Sequence, residues 1–299
     1  MNLEATSGLP VSIEEGLLAF KEGLAGVRAS RRRHRDMASV LLDPPGGPGT
    51  VYLVYRGIAQ PWNRVLFCWA GLRYDMTLVH PLLLGREYAK TVGHYHSAPP
   101  GSRLTYPEVY QVLSGRACFL LQRQGPRRQD TADVRVLLLE GVAGDIVVVP
   151  PGYGHVTINP SEEEPLLVAN LVASEAVSLY EPMVRHKGAA FYVTPAGLRE
   201  NPNYESVPAP AWVYPPDPHQ VGLKKGVPLY TQFIMNPVAF DFLSQPERQE
   251  ASLAGYAEAL QSPENLVPQL AWPLLCPGSV VDVPGLLSSG SEPAGSCRA

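Results

Sequence analysis

Short apolar runs, rich in β-branched and aromatic residues and separated by glycine or proline, follow one another from about residue 51 to residue 175. They are VYLVY (51–55), RVLFCWAGL (64–72), VYQVLSG (109–115), ACFLLQ (117–122), VRVLLLEG (134–141), DIVVVPPG (145–152) and LLVANLVA (166–173). This length and composition predict strands rather than helices. GVAGD (141–145) and RQGPRRQD (123–130) contain turn-forming residues and are predicted to be hairpin connections.

Many short strands at close spacing predict an all-β sandwich or barrel. No helical stretch between these runs is long enough for repeated βαβ crossovers. Before them, IEEGLLAFKEGLAGVRA (13–29) predicts an N-terminal helix, because its apolar residues share one helical face. Those residues are Leu17, Phe20, Leu24 and Val27.

The last third of the chain has a different composition. It holds 15 of the 31 prolines, and WVYPPDPHQ (212–220) is typical of an extended linker. ERQEASLAGYAEALQ (247–261) predicts one short amphipathic helix, and residues 285–299 have the composition of a disordered tail. We therefore expect one domain over residues 1–200 and a partly helical, proline-rich extension over 201–299, packed on that domain or on a partner subunit.

Bulk composition excludes several classes of protein. The net charge of -4 argues against a nucleic-acid binder, and no apolar run approaches the length of a membrane span. The N-terminus lacks the basic-then-apolar order of a signal peptide, so we expect a cytoplasmic protein. The four cysteines, which form no CxxC pair, are predicted to be free thiols, with Cys68 and Cys118 buried in strands.

The stretch TVGHYHSAPPGSRLTYPEVY (91–110) contains candidate metal ligands. On a strand, residues two apart share a face, so His94 and His96 would point into the same space. Glu108 follows a proline- and glycine-containing loop, and His155, after the turn PPGYG, is the fourth partner that we predict, facing the first hairpin across the barrel lumen. Three imidazoles and a carboxylate suit one divalent metal such as Fe, Mn, Ni, Co or Zn.

These residues carry a family resemblance. The order of Gly93, His94, His96, Glu108 and Gly115 is similar to the first cupin motif, and Gly144, Pro150, Gly152, His155 and Asn159 are similar to the second. More narrowly, TVGHYH, EVY (108–110), PPGYGHVTIN (150–159), VYLVY and YDMTLVHP (74–81) resemble the cupin-type phosphoglucose isomerases best known from archaea. The resemblance covers roughly residues 11 to 200 and implies a double-stranded β-helix (jelly-roll barrel) with an N-terminal arm.

The resemblance also implies roles for individual residues. The metal ligands would be His94, His96, Glu108 and His155. A sugar-phosphate pocket would use Tyr52, Thr77, Thr91 and the backbone at Gly93, and the sugar site would be lined by Tyr110, Tyr153 and Tyr180. Two departures concern the substrate rather than the metal: the loop between His96 and Glu108 is longer than in the family pattern, and Val172 and Ser178 replace a tyrosine and a histidine.

The expected activity is therefore the metal-dependent isomerisation of glucose 6-phosphate and fructose 6-phosphate, a glycolytic and gluconeogenic step. Glu108 would move a proton between C2 and C1 while Tyr110 orients the sugar oxygens, or a hydride shift would need no base. The alternatives are a mannose-6-phosphate isomerase, an Fe(II) cupin dioxygenase and a non-catalytic sugar-binding cupin. We expect a homodimer with a phosphosugar substrate, and neither a nucleic-acid nor a membrane partner. The basic run SRRRHRD (30–36) could hold a phosphate, although a solvated charged face is the commoner role of such a run.

Overall fold

Two facing sheets form the body of the chain in the computed structural model, which describes residues 1–21, 23–24, 27–44, 49–123, 134–205 and 207–267. The strands are β1 (Val11–Glu14), β2 (Leu17–Phe20), β3 (Ala29–Arg33), β4 (Thr50–Tyr55), β5 (Leu72–Val79), β6 (Leu83–Leu84), β7 (Glu87–Tyr88), β8 (Tyr95–His96), β9 (Glu108–Ser114), β10 (Arg116–Arg123), β11 (Arg135–Val142), β12 (Ile146–Val149), β13 (Tyr153–Ile158), β14 (Leu166–Ala173), β15 (Ser178–Leu179), β16 (Phe191–Thr194), β17 (Gly197–Glu200) and β18 (Ala211–Val213). One sheet has the order β13-β10-β11-β18 and the other β12-β9-β14-β5-β4-β3. The prediction of an all-β cupin jelly roll is confirmed.

Short helices lie in the connections and in the last described part of the chain. They are α1 (Glu4–Ser7), α2 (His34–Met37), α3 (Arg64–Ala70), α4 (Glu181–Arg185), α5 (Leu229–Met235), α6 (Asp241–Ser244) and α7 (Glu250–Ala259), with 3-10 turns at Ala38–Val40, Pro61–Asn63, Pro218–Val221, Pro237–Phe240, Pro246–Gln249 and Pro263–Asn265. The helix predicted over 247–261 is present as α7 and the turn before it. Among the described residues, no helix is both long and apolar enough to cross a membrane.

The helices after residue 228 cover the outer face of the six-stranded sheet. All eight residues of β14 are buried, because its inner face lines the barrel while α5 and α6 pack on its outer face. The prediction that residues 212–220 form an extended linker is wrong. β18 adds to the barrel as a parallel neighbour of β11, and a 3-10 turn follows it.

The predicted N-terminal helix over 13–29 is also wrong. Residues 13–20 of this segment belong to the antiparallel hairpin of β1 and β2, in which Glu14 lies opposite Leu17. Glu15 and Gly16 both have positive φ, 49° and 74°, which is the backbone of a tight two-residue hairpin turn. The backbone N–H of Leu18 donates to the Tyr55 hydroxyl at 2.9 Å, so a contact with β4 fixes this hairpin in place of a helix.

The run at 64–72 is a helix and not the predicted strand. α3 ends at Ala70, and Gly71 caps it in the left-handed conformation before β5 begins at Leu72. The helix lies outside the sheet and buries only Phe67, whose ring centroid is 4.5 Å from that of Phe233. Cys68 therefore lies exposed on a helix, contrary to prediction, whereas Cys118 is buried in β10 as predicted.

The predicted hairpin at 141–145 instead joins the two sheets, because β11 pairs with β10 whereas β12 pairs with β9. The segment at 123–130, the tail at 285–299 and the remaining two cysteines lie almost wholly outside the described residues.

Candidate metal centre

Four side chains converge inside one end of the barrel. One ligand atom from each of His94, His96, Glu108 and His155 lies within 4.8 Å of all the others. His94 and His155 exchange two backbone hydrogen bonds, of 3.2 and 3.0 Å, so their segments are direct neighbours. The prediction that the His155 hairpin faces the first hairpin across the lumen therefore holds for Glu108, which lies on the other sheet, and is wrong for His94.

Gly93 shows why the first motif needs glycine before its histidine. Its φ is 78°, and a Cβ there would lie 2.6 Å from Cγ2 of Val156 and 3.3 Å from the carbonyl oxygen of His155. Only glycine allows the backbone to pass this close to β13. The turn at Gly93 therefore brings His94 beside His155.

The ligand atoms are spaced as the ligands of one ion would be. Nε2 of His94 and Nε2 of His96 are 3.1 Å apart. Oε2 of Glu108 lies 3.1 Å from Nε2 of His155 and 3.4 Å from Nε2 of His96. Ligands held at about 2.0–2.2 Å from a metal are themselves about 3 Å apart. Oε2 of Glu108 is buried and lies against these imidazole nitrogens, which is the position of an oxygen that would share a metal with them.

The protonation states also fit a metal. Burial, together with the neighbouring His155 and His96, holds the pKa of His94 well below its usual range, and burial lowers the pKa of His96. Burial acts to raise the pKa of Glu108, but the hydrogen bond and charge of His155 outweigh it and leave that pKa lowered. At neutral pH these imidazoles are neutral and the carboxyl is ionised, which are the forms that bind metal.

Surrounding groups fix the orientation of the candidate ligands. Nδ2 of Asn170 donates to Oε1 of Glu108 at 2.6 Å, which turns Oε2 toward the histidines. Nδ1 of His96 contacts the carbonyl oxygen of Tyr106 at 2.9 Å, so this carbonyl accepts from the ring and leaves Nε2 free for a metal. The Tyr110 hydroxyl lies 3.0 Å from Nε2 of His155, and burial raises the pKa of Tyr110 well above its usual value.

One cavity joins this cluster to most of the predicted substrate residues. Its lining includes Tyr52, Thr77, Thr91, Gly93, Tyr110 and Tyr180 along with three of the candidate ligands. Tyr153 is the exception, because it lines a separate cavity beside Leu253 of α7. As the first residue of β13, Tyr153 pairs with Arg123 at the end of β10, and its hydroxyl bonds to the Arg123 side chain.

The same cavity contains polar groups that the sequence did not single out: Arg56, Arg73, Asp75 and Asn170, and also Arg32, which the sequence offered only as part of the run at 30–36. The signal for Asn170 was a single amide inside the apolar run LLVANLVA. Arg73, Asp75 and Thr77 alternate along β5, which is the pattern of a polar face. Arg32 belongs to a basic run, and only the pairing of β3 with β4 reveals that Arg32 is the member that faces inward.

Arg32 forms the basic end of the cavity. Its side chain hydrogen-bonds to the hydroxyls of Tyr52 and Tyr180, and its guanidinium carbon lies 5.9 Å from the centroid of the Tyr180 ring. The Tyr180 ring centroid is in turn 5.3 Å from that of His94. Within the described residues, Arg32 forms no ion pair with a carboxylate. The positive charge of Arg32 thus faces the cavity, and the ring of Tyr180 lies between it and His94.

Comparisons with known proteins agree with this geometry. A family model described as glucose-6-phosphate isomerase (GPI) matches residues 31–208. The glucose-6-phosphate isomerase of Thermococcus litoralis is 26% identical over 214 residues, which are 68% of this chain and 99% of that protein. The protein of the same name from Pyrococcus abyssi is 28% identical over 196 residues, or 63% of this chain and 90% of that one.

Among solved structures, a mutant of Bacillus subtilis oxalate decarboxylase is matched with a TM-score of 0.29 at 23% identity, over 44% of this chain and 29% of that one. The family model covers more than half of the chain, and it includes all four candidate ligands. The chain belongs to the glucose-6-phosphate isomerase family, in its cupin-type form.

Proposed function

We propose that this protein is a metal-dependent aldose–ketose isomerase that interconverts glucose 6-phosphate and fructose 6-phosphate. The observation that carries the proposal is a single cavity that His94, His96 and Glu108 of the ligand cluster line on one side and Arg32 lines on another. Among the described residues, Arg32 forms no ion pair with a carboxylate. The two ends of a sugar phosphate match this arrangement. Its neighbouring C1 and C2 oxygens can bind a metal, and its phosphate dianion can pair with a guanidinium.

Two hydroxyls that line the same cavity as Arg32 can donate to a phosphate. The Tyr52 hydroxyl oxygen accepts from Arg32 and from the backbone N–H of Val92, so its own hydrogen remains to be donated. The Thr91 hydroxyl accepts from the backbone N–H of Thr157 at 3.0 Å and is free in the same way. Hydroxyl donors beside a guanidinium form the charge-assisted hydrogen bonds that phosphate oxygens prefer.

Replacing Arg32 with glutamine should raise KM for glucose 6-phosphate by about 10- to 100-fold and change kcat less, because hydrogen bonds to charged groups contribute about 1.5–3 kcal/mol. The measurement is steady-state kinetics with both sugar phosphates. Arg31→Gln is the matched control, since Arg31 is the preceding residue of β3 and lines a different, open groove. Equal KM values for the two variants would show that Arg32 does not bind the phosphate.

At the other end of the cavity, a bound metal would polarise the C1 and C2 oxygens as a Lewis acid. Glu108 would take the proton from C2, giving an enediol, and return it to C1, while a second proton passes from one oxygen to the other. The raised pKa of Tyr110 keeps its hydroxyl protonated, so it can donate to a sugar oxygen. A direct shift of hydride from C2 to C1 would use the same ligands without a base.

The proposal is tested by assaying purified protein with glucose, fructose and mannose 6-phosphates and added Mn²⁺, Fe²⁺, Co²⁺, Ni²⁺ or Zn²⁺. We expect interconversion of the glucose and fructose phosphates with at least one of these metals. Conversion of mannose 6-phosphate alone would reassign the substrate. Oxygen consumption without isomerisation would support a dioxygenase, and binding without turnover of any of these sugars would support a sugar-binding protein.

A further inference from the structure

The described part of the chain extends beyond the family match, which ends at residue 208. The Thermococcus litoralis relative is matched over 99% of its length by 68% of this chain, so it has little to align with that extension. Residues 227–256 are here called the C-terminal brace. Besides packing on β14, the brace makes two contacts with segments that carry candidate ligands.

The first contact is with the loop between His96 and Glu108. The carboxylate of Glu247 accepts hydrogen bonds from the Ser102 hydroxyl and from the backbone N–H of Arg103. The Arg103 side chain also lies 3.6 Å from the carboxylate of Glu250. The brace therefore holds the loop near its middle.

The same loop orients one candidate ligand. Beyond Ser102, the Thr105 hydroxyl accepts from the backbone N–H of Gly152 at 2.7 Å, just before β13. The next residue, Tyr106, bonds back to the carbonyl of Ser97 at 3.0 Å and presents its own carbonyl to Nδ1 of His96. Displacing the loop would therefore move the carbonyl that fixes the ring of His96.

The second contact is with the outer side of the strands beside Glu108. The Gln111 side chain, 2% exposed, donates to the carbonyl of Val227 at 3.1 Å and accepts from the N–H of Leu229 at 2.7 Å. On β12, an edge strand of its sheet, the N–H of Val148 donates to the buried Tyr256 hydroxyl at 3.2 Å. Gln111 lies on β9, which begins at Glu108, and Val148 is next to the β12 residue that pairs with Glu108.

We propose that the C-terminal brace is a positioning element for the metal centre, and that Glu247 is a positioning residue that acts on His96 through the 97–107 loop. The inference rests on the proposed metal centre and not on the identity of the sugar. A brace that holds the loop closed slows the ligand movements through which a metal leaves. Direct partners of metal ligands typically change affinity 10- to 100-fold. Glu247 acts from further out, through Ser102 and Arg103 of the loop, so a smaller effect is expected.

The test compares Glu247→Ala with Glu247→Gln and Arg248→Gln in the full chain, using Co²⁺ alone as the probe. Glutamine keeps an oxygen that can accept from Ser102 and Arg103. Arg248 pairs with Asp241 at 2.7 Å within the brace, so Arg248→Gln perturbs the neighbouring position without a direct bond to the loop. The measurements are the rate of Co²⁺ release into excess EDTA, the visible spectrum of bound Co²⁺, and the unfolding temperature of the metal-free protein.

We expect Glu247→Ala to release Co²⁺ about 3- to 10-fold faster than the wild type, below the range for direct partners. Its Co²⁺ spectrum should change while its metal-free unfolding temperature stays near that of Arg248→Gln, and Glu247→Gln should restore slow release. Because Glu247 is exposed, its substitution is compatible with folding. Identical release rates and spectra for Glu247→Ala and Arg248→Gln would overturn the proposal.

The result is independent of the proposed reaction. A wild-type protein that binds Co²⁺ but isomerises no sugar would contradict the proposed function, while the release rates would still decide the role of Glu247. A wild-type protein that binds none of the divalent metals would overturn both the metal centre and this inference.

Discussion

Glu108→Gln should lower turnover by about 10²–10⁴-fold, the usual contribution of a positioned general base, even when the variant is saturated with metal. Glutamine keeps the size of the side chain and one oxygen, but it cannot take a proton from C2. Metal affinity should fall as well, because the negative charge is lost. The experiment measures kcat at increasing metal concentration, with exchange of the C2 proton into deuterated water followed by NMR.

Both oxygens of Glu108 are already engaged. Oε1 accepts from Asn170, and Oε2 faces the histidines, where it would bind the metal. A base in this position must turn one oxygen toward the substrate. Near-normal kcat in metal-saturated Glu108→Gln would show that Glu108 is a ligand only, and the hydride shift would then replace the enediol.

His155→Ala should remove metal binding and, with it, all measurable isomerase activity at ordinary metal concentrations. Prolonged dialysis of the wild type against EDTA should have the same effect, and added divalent metal should restore the wild type only. The measurement is metal content per chain together with activity. His186→Ala is a control, because that ring contacts the Pro182 carbonyl and stacks on Tyr204, away from the cluster. Full activity in metal-free protein would refute the mechanism.

Metal binding should also depend on pH in a direction fixed by the lowered pKa values. Protons compete with a metal only below the pKa of the metal-free imidazole, and burial moves that pKa for His94 and His96 below the ordinary value of about 6.5. Affinity should therefore stay constant as the pH falls through about 6.5 and decrease only at lower pH, where these buried imidazoles take up protons. A Kd for Mn²⁺ that already rises between pH 8 and pH 7 would contradict this description of the site.

The candidate ligands could be predicted because their signals are local. His94 and His96 are separated by the strand period, and Glu108 and His155 each stand beside turn residues that mark a strand end. Arg32 and Asn170 could not be assigned in the same way, because their direction depends on pairing between strands far apart in sequence. Arg32 lies opposite Tyr52, and Asn170 lies between Asp75 and Tyr110.

The errors of secondary structure have a similar origin. The apolar run at 64–72 has strand-like composition, but its residues 64–70 lie in the connection between β4 and β5 and pair with no strand among the described residues. In the segment 13–29, the spacing of Leu17 and Leu24 suits a helix, yet Gly16 allows a turn and Tyr55 supplies a partner for β2. Tertiary contacts decide between two structures that the local pattern allows almost equally.

The division of the ligands between the two sheets has a consequence for the barrel as a whole. His155 belongs to the four-stranded sheet and Glu108 to the six-stranded sheet, so an ion bound by both would tie the two halves of the jelly roll together. Metal binding and folding are then linked. At a free metal concentration one hundred times Kd, binding would raise the free energy of unfolding by about 2.7 kcal/mol. A cell short of the metal would have less of the enzyme as well as less active enzyme, because the empty barrel would be the form most open to proteolysis.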